Sequence, residues 1–345
     1  MHVGIAGAGL VGRLLAWRLI QQGHAVTLFD QDKIEGQHSC AFVAAGMLSP
    51  VTELAITESC IYEWGLQSLA LWPEILASLS TPVFFQHQGS LLTAHRQDKA
   101  ELDRFQKVVR SKLTNDHAIQ LLSSQQARQL EPELALDQST FYLPQEGQLD
   151  NQALLAALAH ELQQQDAHWH PQTLVLNLTQ TTVHTTQADF TFDQVFDCRG
   201  MGAQADIDGL RGVRGEIIYV QAPDVHLQHP VRLMHPRHPV YIVPKPNQLF
   251  AIGASEIDSE DTSSISVRTT LELLSAAYVV HPGFAEARIL QTHTQLRPTF
   301  ADHLPKIIND AGLIRINGLF RHGFLIAPAL IEQVLSLTEL SRSHA

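Results

Sequence analysis

Gly7-Ala8-Gly9-Leu10-Val11-Gly12 follows the apolar run His2-Val3-Gly4-Ile5-Ala6 and opens a stretch, Leu10 to Gln22, whose Leu14, Leu15 and Leu19 recur at helical spacing. Gly23 stops that helix, and a second apolar strand, Ala25 to Phe29, ends in Asp30. Strand, glycine turn, helix and strand make a βαβ half-unit with a right-handed crossover. Each glycine has a physical task. Gly7 lets the chain turn sharply, Gly9 removes the Cβ that would block a pyrophosphate, and Gly12 lets helix and strand pack closely. The anion would rest on the helix N-terminus, where N–H groups lack intrahelical partners and the dipole favours negative charge. Asp30 is placed to accept hydrogen bonds from an adenosine ribose, which disfavours a 2′-phosphate and hence NADP. The turn alone leaves NAD and FAD open.

Further along, the sequence alternates pieces that interrupt this unit with pieces that return to it. The spacing predicts a helix over Glu58 to Leu79, broken or kinked at Pro73. Strand-like runs at Val83 to Phe85 and Gly89 to Thr93 follow, then helices over Lys99 to Lys112 and Ser123 to Leu130. Asp150 caps a helix to Gln165, and strands are expected at Thr173 to Leu178, Thr181 to Thr186 and Val195 to Cys198. Arg214 to Val220, Val240 to Pro244 and Phe250 to Ser255 suggest an antiparallel sheet flanked by a helix, Val267 to Val279. Leu313 to Asn317 reads as a strand, leading through a glycine turn to a helix starting near Pro328.

The 345 residues suit two intertwined domains, and 45% hydrophobic with 17% charged residues is the balance of a folded globular chain. A net charge of −12 without any Lys/Arg cluster argues against nucleic acid and an anionic membrane surface, and for a small-molecule partner. Cys40, Cys60 and Cys198 form no CxxC pair, so neither a disulfide framework nor a zinc site is suggested and a reducing, cytoplasmic setting is expected. The pairs His235/His238 and His168/His170 lack the further ligands a metal needs. No run is apolar and long enough for a membrane span, and because the chain enters a strand-like run at once no targeting segment is expected.

Four later segments narrow the cofactor. They are Ala44-Ala45-Gly46-Met47-Leu48-Ser49-Pro50; Tyr241-Ile242-Val243-Pro244 with Ile252-Gly253-Ala254-Ser255; Leu296-Arg297-Pro298; and Asn317-Gly318-Leu319-Phe320-Arg321-His322-Gly323-Phe324-Leu325-Ile326-Ala327-Pro328. In this order they resemble the landmarks of the D-amino-acid oxidase family, nearest to its glycine oxidases. The resemblance implies an α/β fold: a Rossmann-type FAD-binding domain (1–82, 146–212 and 293–345) carrying an inserted antiparallel-sheet substrate domain (83–145 and 213–292). It implies non-covalent FAD, held by the glycine turn and Asp30 together with Ala45, Gly46, Met47, Leu174, Gly200, His322, Gly323, Phe324, Leu325 and Ile326. Gly46 is expected where the backbone passes flat against the flavin ring, leaving no room for a Cβ. No cysteine follows Cys198, so a cysteinyl flavin link near the C-terminus is ruled out by sequence.

The same resemblance assigns substrate contacts. Arg297, its backbone restrained by Pro298, offers two parallel donors to a carboxylate. Tyr241 donates from its hydroxyl, and Arg321 is a second positive charge beside the flavin. In the family, the Cα–H of an amino acid leaves as hydride to the flavin from an amine in its neutral form. No residue need then act as general acid or base, and none stands at a motif position here. The expected partners are therefore a small amino acid and oxygen, and a homo-oligomer is allowed. D-amino-acid or N-methylamino-acid oxidation, a flavin-binding protein without turnover, and an NAD-linked dehydrogenase are the competing readings.

Overall fold

The structure is a computed structural model that describes residues 1–113, 116–134, 140–235 and 239–338. The glycine turn sits as the sequence requires. Strand His2–Ala6 pairs in parallel with Ala25–Phe29 on one side and Gln194–Asp197 on the other. The six-stranded sheet so begun runs Lys306–Asp310, Leu313–Asn317, Gln194–Asp197, His2–Ala6, Ala25–Phe29, His168–His170. Only its first strand is antiparallel. Helices Leu10–Gln21, Asn151–Gln164 and Gly323–Ser336 bury their apolar faces with it in one core. Leu14, Leu15 and Leu19, the three leucines of the opening helix, are at most 1% exposed.

The second sheet has eight strands, in the order Arg288–Thr299, Arg211–Gln221, Leu249–Gly253, Val240–Lys245, Val231–Met234, Ser90–Ala94, Thr140–Leu143, Gln120–Leu122. All its pairings are antiparallel except Val231–Met234 with Ser90–Ala94. Helix Val267–Val280 packs on one face through Leu273, Ala277 and Val280, so the other face is free to meet the nucleotide-binding half. The strand Arg288–Thr299 was not expected from sequence; it is exposed over Arg288 to Gln291 and lacks a clean alternation.

Of the two alternatives at Pro73, the break is excluded, since Pro73 lies inside Ser59–Ala77 without ending it. The start of the last helix needs correction. Pro328 likewise lies inside a helix that starts five residues earlier, at Gly323. Pro328 cannot donate to the carbonyl of Phe324, and Trp72 Nε1 does so instead at 3.0 Å; Ser68 Oγ accepts the N–H of Ala329 at 3.1 Å. Side chains of one helix thus satisfy the backbone that proline disrupts in the other. Among the described residues, no helix is long and apolar enough to cross a membrane.

Candidate active site

One cavity of about 1130 Å³ runs between the two sheets, from Asp30 to Arg297. It exceeds the roughly 300–1,000 Å³ usual for small-ligand sites, as an extended dinucleotide needs. At one end stands the glycine turn. Gly7 has φ +94, and a Cβ there would meet the Cys198 carbonyl carbon at 2.5 Å; a Cβ on Gly12 would fall 1.9 Å from Gly7 O. At Gly9 a Cβ would meet nothing within 4 Å, so the bare backbone faces open space. No side chain caps the helix that begins there, and none caps Gly323–Ser336, whose first residues Gly323, Phe324 and Leu325 also line the cavity. Two helix N-termini and a glycine cradle fit a pyrophosphate at one end and a developing negative charge at the other. Asp30 lines the same end, its Oδ2 accepting from Ala8 N at 2.5 Å and its Oδ1 from Asp32 N at 2.8 Å.

Arg13 stiffens this turn from behind. It is 1% exposed, and its guanidinium donates to the carbonyls of Ala8 at 2.7 Å, Leu155 at 2.6 Å and Ile34 at 2.6 Å. Burial pushes its pKa down to about 10, against the pull of Asp30, Asp32 and Glu35, so it remains a cation at neutral pH. The loop 40–47 is braced in the same manner. Tyr219 Oη donates to Ala44 O at 2.8 Å, Asn151 Nδ2 to Phe42 O at 2.9 Å, and Lys245 Nζ to Ala45 O at 2.6 Å and Leu149 O at 2.5 Å. Gly46 has φ +69, and its missing Cβ would meet Leu149 O at 2.2 Å. The protein's own backbone therefore already requires a glycine at this position, which also lines the cavity.

At the far end, register places the expected substrate contacts on one sheet face. Tyr241 is paired with Gly253, Gly253 with Ile217, and Val213 with Arg297. Glycines make the room: a Cβ on Gly253 would touch the Tyr241 ring at 2.8 Å, and one on Gly215 the Arg297 Cζ at 2.4 Å. The Arg297 guanidinium spends one hydrogen bond on Ser255 O at 3.0 Å, and no carboxylate among the described residues pairs with it. Burial raises the Tyr241 phenol, with Arg297, Arg232 and Arg321 pulling the other way, so Tyr241 stays a donor.

Arg321 differs from expectation. Its Nε donates to Glu53 Oε2 at 2.9 Å and its Nη1 to Glu256 Oε2 at 3.0 Å. Burial works against its charge, but those two carboxylates outweigh it and hold the guanidinium above its ordinary pKa. Arg321 thus lines the cavity with its charge already paired by Glu53 and Glu256. Burial would raise Glu53, yet Arg321, His322 and Arg232 overcome this and hold it well below the carboxylate range.

Of the residues expected to hold the cofactor, Gly7, Ala8, Gly9, Leu10, Val11, Asp30, Ala45, Gly46, Met47, Gly200, Gly323, Phe324 and Leu325 line the cavity. Gly12 and Ile326 stand behind its wall, in the packing. Leu174 is 48% exposed and outside the lining, its carbonyl accepting from Thr186 N at 3.2 Å. His322 is buried at the start of the last helix, 3.2 Å from Glu53 Oε2 but not aligned to bond with it. Sequence reasoning missed Glu53, Arg232, Lys245 and Glu256, which stand in no glycine-marked motif. Gly215, between Arg214 and Glu216, was the readable sign that a large group needs space there. His170 stacks on Phe29, with ring centroids 4.9 Å apart; His238 lies outside the described residues.

A parallel sheet with a glycine cradle, joined over a long cavity to an antiparallel sheet bearing Tyr241 and an unpaired Arg297, defines a flavin-dependent oxidoreductase. Residues 2–335 match the family described as DAO, FAD dependent oxidoreductase, and the chain belongs to it. Its cofactor is FAD. It is 37% identical over 335 residues to the "Putative thiamine biosynthesis oxidoreductase ThiO" of Rhizobium etli, covering 97% of this chain and 95% of that one. The glycine oxidase of Geobacillus kaustophilus superposes with a TM-score of 0.83 at 26% identity, over 99% of this chain and 95% of its own. A glycine oxidase of Bacillus cereus shares the fold at a TM-score of 0.83 and 22% identity, over 100% of this chain and 96% of its own.

Proposed function

We propose that this enzyme oxidises the amine of glycine or a similarly small amino acid to the imine, which hydrolyses to the 2-oxo acid, while oxygen is reduced to hydrogen peroxide. FAD bound in the cavity supplies the two-electron acceptor. The observation that carries the reading is Arg297: a guanidinium on the cavity wall, given room by Gly215 and left without a carboxylate by the described residues. A substrate carboxylate completes it, with Tyr241 as a further donor. The protein then contributes orientation and electrostatics at the open N-termini of two helices, with no side chain acting as acid or base. Residues 1–82, 146–212 and 293–345 would form the cofactor-binding domain and 83–145 with 213–292 the substrate domain. A role in thiamine biosynthesis is supported by the name of the Rhizobium etli relative, and within it we place the enzyme in the cytoplasm, supplying the thiazole.

The runner-up is a D-amino-acid or N-methylamino-acid oxidase, which the same clamp would serve. The test is anaerobic flavin reduction by glycine, sarcosine and D-alanine in parallel. Bleaching by glycine at the highest kcat/KM supports the reading, and bleaching by none of the three overturns it.

A further inference from the structure

Four arginines are buried among the described residues: Arg13, Arg214, Arg232 and Arg315. Three are hydrogen-bonded to carbonyl or carboxylate oxygens of the protein. Arg13 donates to three carbonyls, Arg214 to Glu216, Asp261 O and Ser264 O, and Arg315 to Asp197 at 2.7 Å. Arg232 is the exception. It is 7% exposed, its Nε has no partner, and its one polar contact is from Nη2 to Met47 Sδ at 4.0 Å. It also lines the cavity.

The nearby carboxylates are engaged elsewhere. Glu53 is taken by Arg321. Glu146 accepts from Thr52 N at 2.7 Å, Thr52 Oγ1 at 2.6 Å and Ser90 Oγ at 2.6 Å. Arg232 is held on the cavity face by its strand. Its strand, Val231–Met234, is paired on both edges, Arg232 with Leu92 on one and with Tyr241 on the other. Pairing with Tyr241 puts both side chains on the cavity face. Across that face the Tyr241 ring overlies Gly253 and the Arg297 guanidinium overlies Gly215, so Arg232 and Arg297 flank Tyr241 from opposite sides. Glu53 and Glu146 act on Arg232 only through space, and a buried guanidinium with no carboxylate bonded to it is costly unless a ligand brings one.

Resting on the amino-acid reading above, we infer that Arg232 binds a second carboxylate, and that the substrate class is glycine derivatives bearing a carboxymethyl group on the nitrogen or on Cα. The second carboxylate meets Arg232 while the first is held by Arg297.

The holoenzyme tests this in two ways. Anaerobic flavin reduction is compared within two pairs, iminodiacetate against sarcosine and D-aspartate against D-alanine. The wild type should favour the dicarboxylate of each pair, and Arg232→Met or Arg232→Lys should lower that ratio of kcat/KM, by about thirty-fold in the Met variant. A wild type that favours the monocarboxylates, or a ratio unmoved by either substitution, overturns the inference. The second arm needs no turnover: malonate should raise the Tm of the wild type more than acetate does, and this excess should vanish in Arg232→Met. If no amine bleaches the flavin, the amino-acid reading fails and this arm alone judges Arg232. Equal malonate shifts in wild type and variant would refute its role.

Discussion

Trp72 supplies the hydrogen bond that Pro328 withholds. The indole Nε1 reaches the Phe324 carbonyl at 3.0 Å, four residues ahead of the proline. The helix that carries Phe324 opens onto the cavity, so an aromatic residue on Ser59–Ala77 holds a cofactor-facing N-terminus in place. Trp72 is fully buried.

Trp72→Phe keeps most of the apolar volume while removing the donor. We expect a loss of about 1–3 kcal/mol from the unsatisfied carbonyl, a melting temperature lowered by a few degrees, and earlier release of flavin on heating. Flavin fluorescence during thermal denaturation reads both. An unaltered transition would mean that the Phe324 carbonyl finds another partner.

The βαβ unit was legible because strand, glycine turn and helix each leave a local mark: Gly7, Gly9 and Gly12 answer to backbone geometry within a few residues of themselves. The strand Arg288–Thr299 was not, since its exposed half carries no alternation and only pairing with Arg211–Gln221 defines it. The start of the last helix was misread because Pro328 looks like a first-turn residue, and its tolerance depends on Trp72, which is 256 positions away. Arg297 and Tyr241 could be named from motifs. That Arg321 is bonded to carboxylates and Arg232 is not depends on Glu53 and Glu256, brought near by tertiary folding alone.

Glu53 makes a pH-resolved test of that cluster. Its pKa is held below the ordinary 4.5, so its contribution to stability is complete above that value and is lost as the pH falls further below it. Glu53→Gln should cost about 3 kcal/mol at neutral pH, since Arg321 keeps only Glu256. The gap in melting temperature between wild type and variant should hold from pH 8 to 5 and narrow in more acid solution. A gap that widens below pH 5 would show that Glu53 is protonated in the folded protein at ordinary pH.

The two glycines of the turn separate folding from cofactor binding. Gly9 has φ −73, a value open to any residue, and empty space where its Cβ would be. Gly9→Val should therefore yield a folded protein largely without FAD, whereas Gly12→Val, with its Cβ driven into Gly7 O, should misfold. Circular dichroism and the flavin-to-protein absorbance ratio distinguish the two. In the wild type, acid precipitation should leave the FAD in the supernatant; flavin retained in the pellet would point to a covalent link.

Arg297 tests the substrate class most directly. If it clamps a carboxylate in a desolvated pocket, Arg297→Ala removes a charge-assisted bidentate contact of roughly 2–5 kcal/mol, a fall in kcat/KM of about thirty-fold to several thousand-fold. The protein should remain folded and yellow, because among the described residues the guanidinium's only bond is to Ser255 O. Arg297→Lys should recover part of the loss, since a point charge lacks the planar fork. Gly215→Ala provides an independent route to the same end. Its Cβ would fall 2.4 Å from Arg297 Cζ and push the guanidinium off its seat without touching its charge, so KM should rise while FAD content stays normal. An arginine that serves only structure predicts the reverse, a general loss of stability and flavin with unchanged kinetics in whatever holoenzyme survives. Anaerobic reduction by glycine, measured beside FAD content in all three variants, decides between them, and normal reduction in Arg297→Ala at normal FAD content would remove the carboxylate clamp from this enzyme.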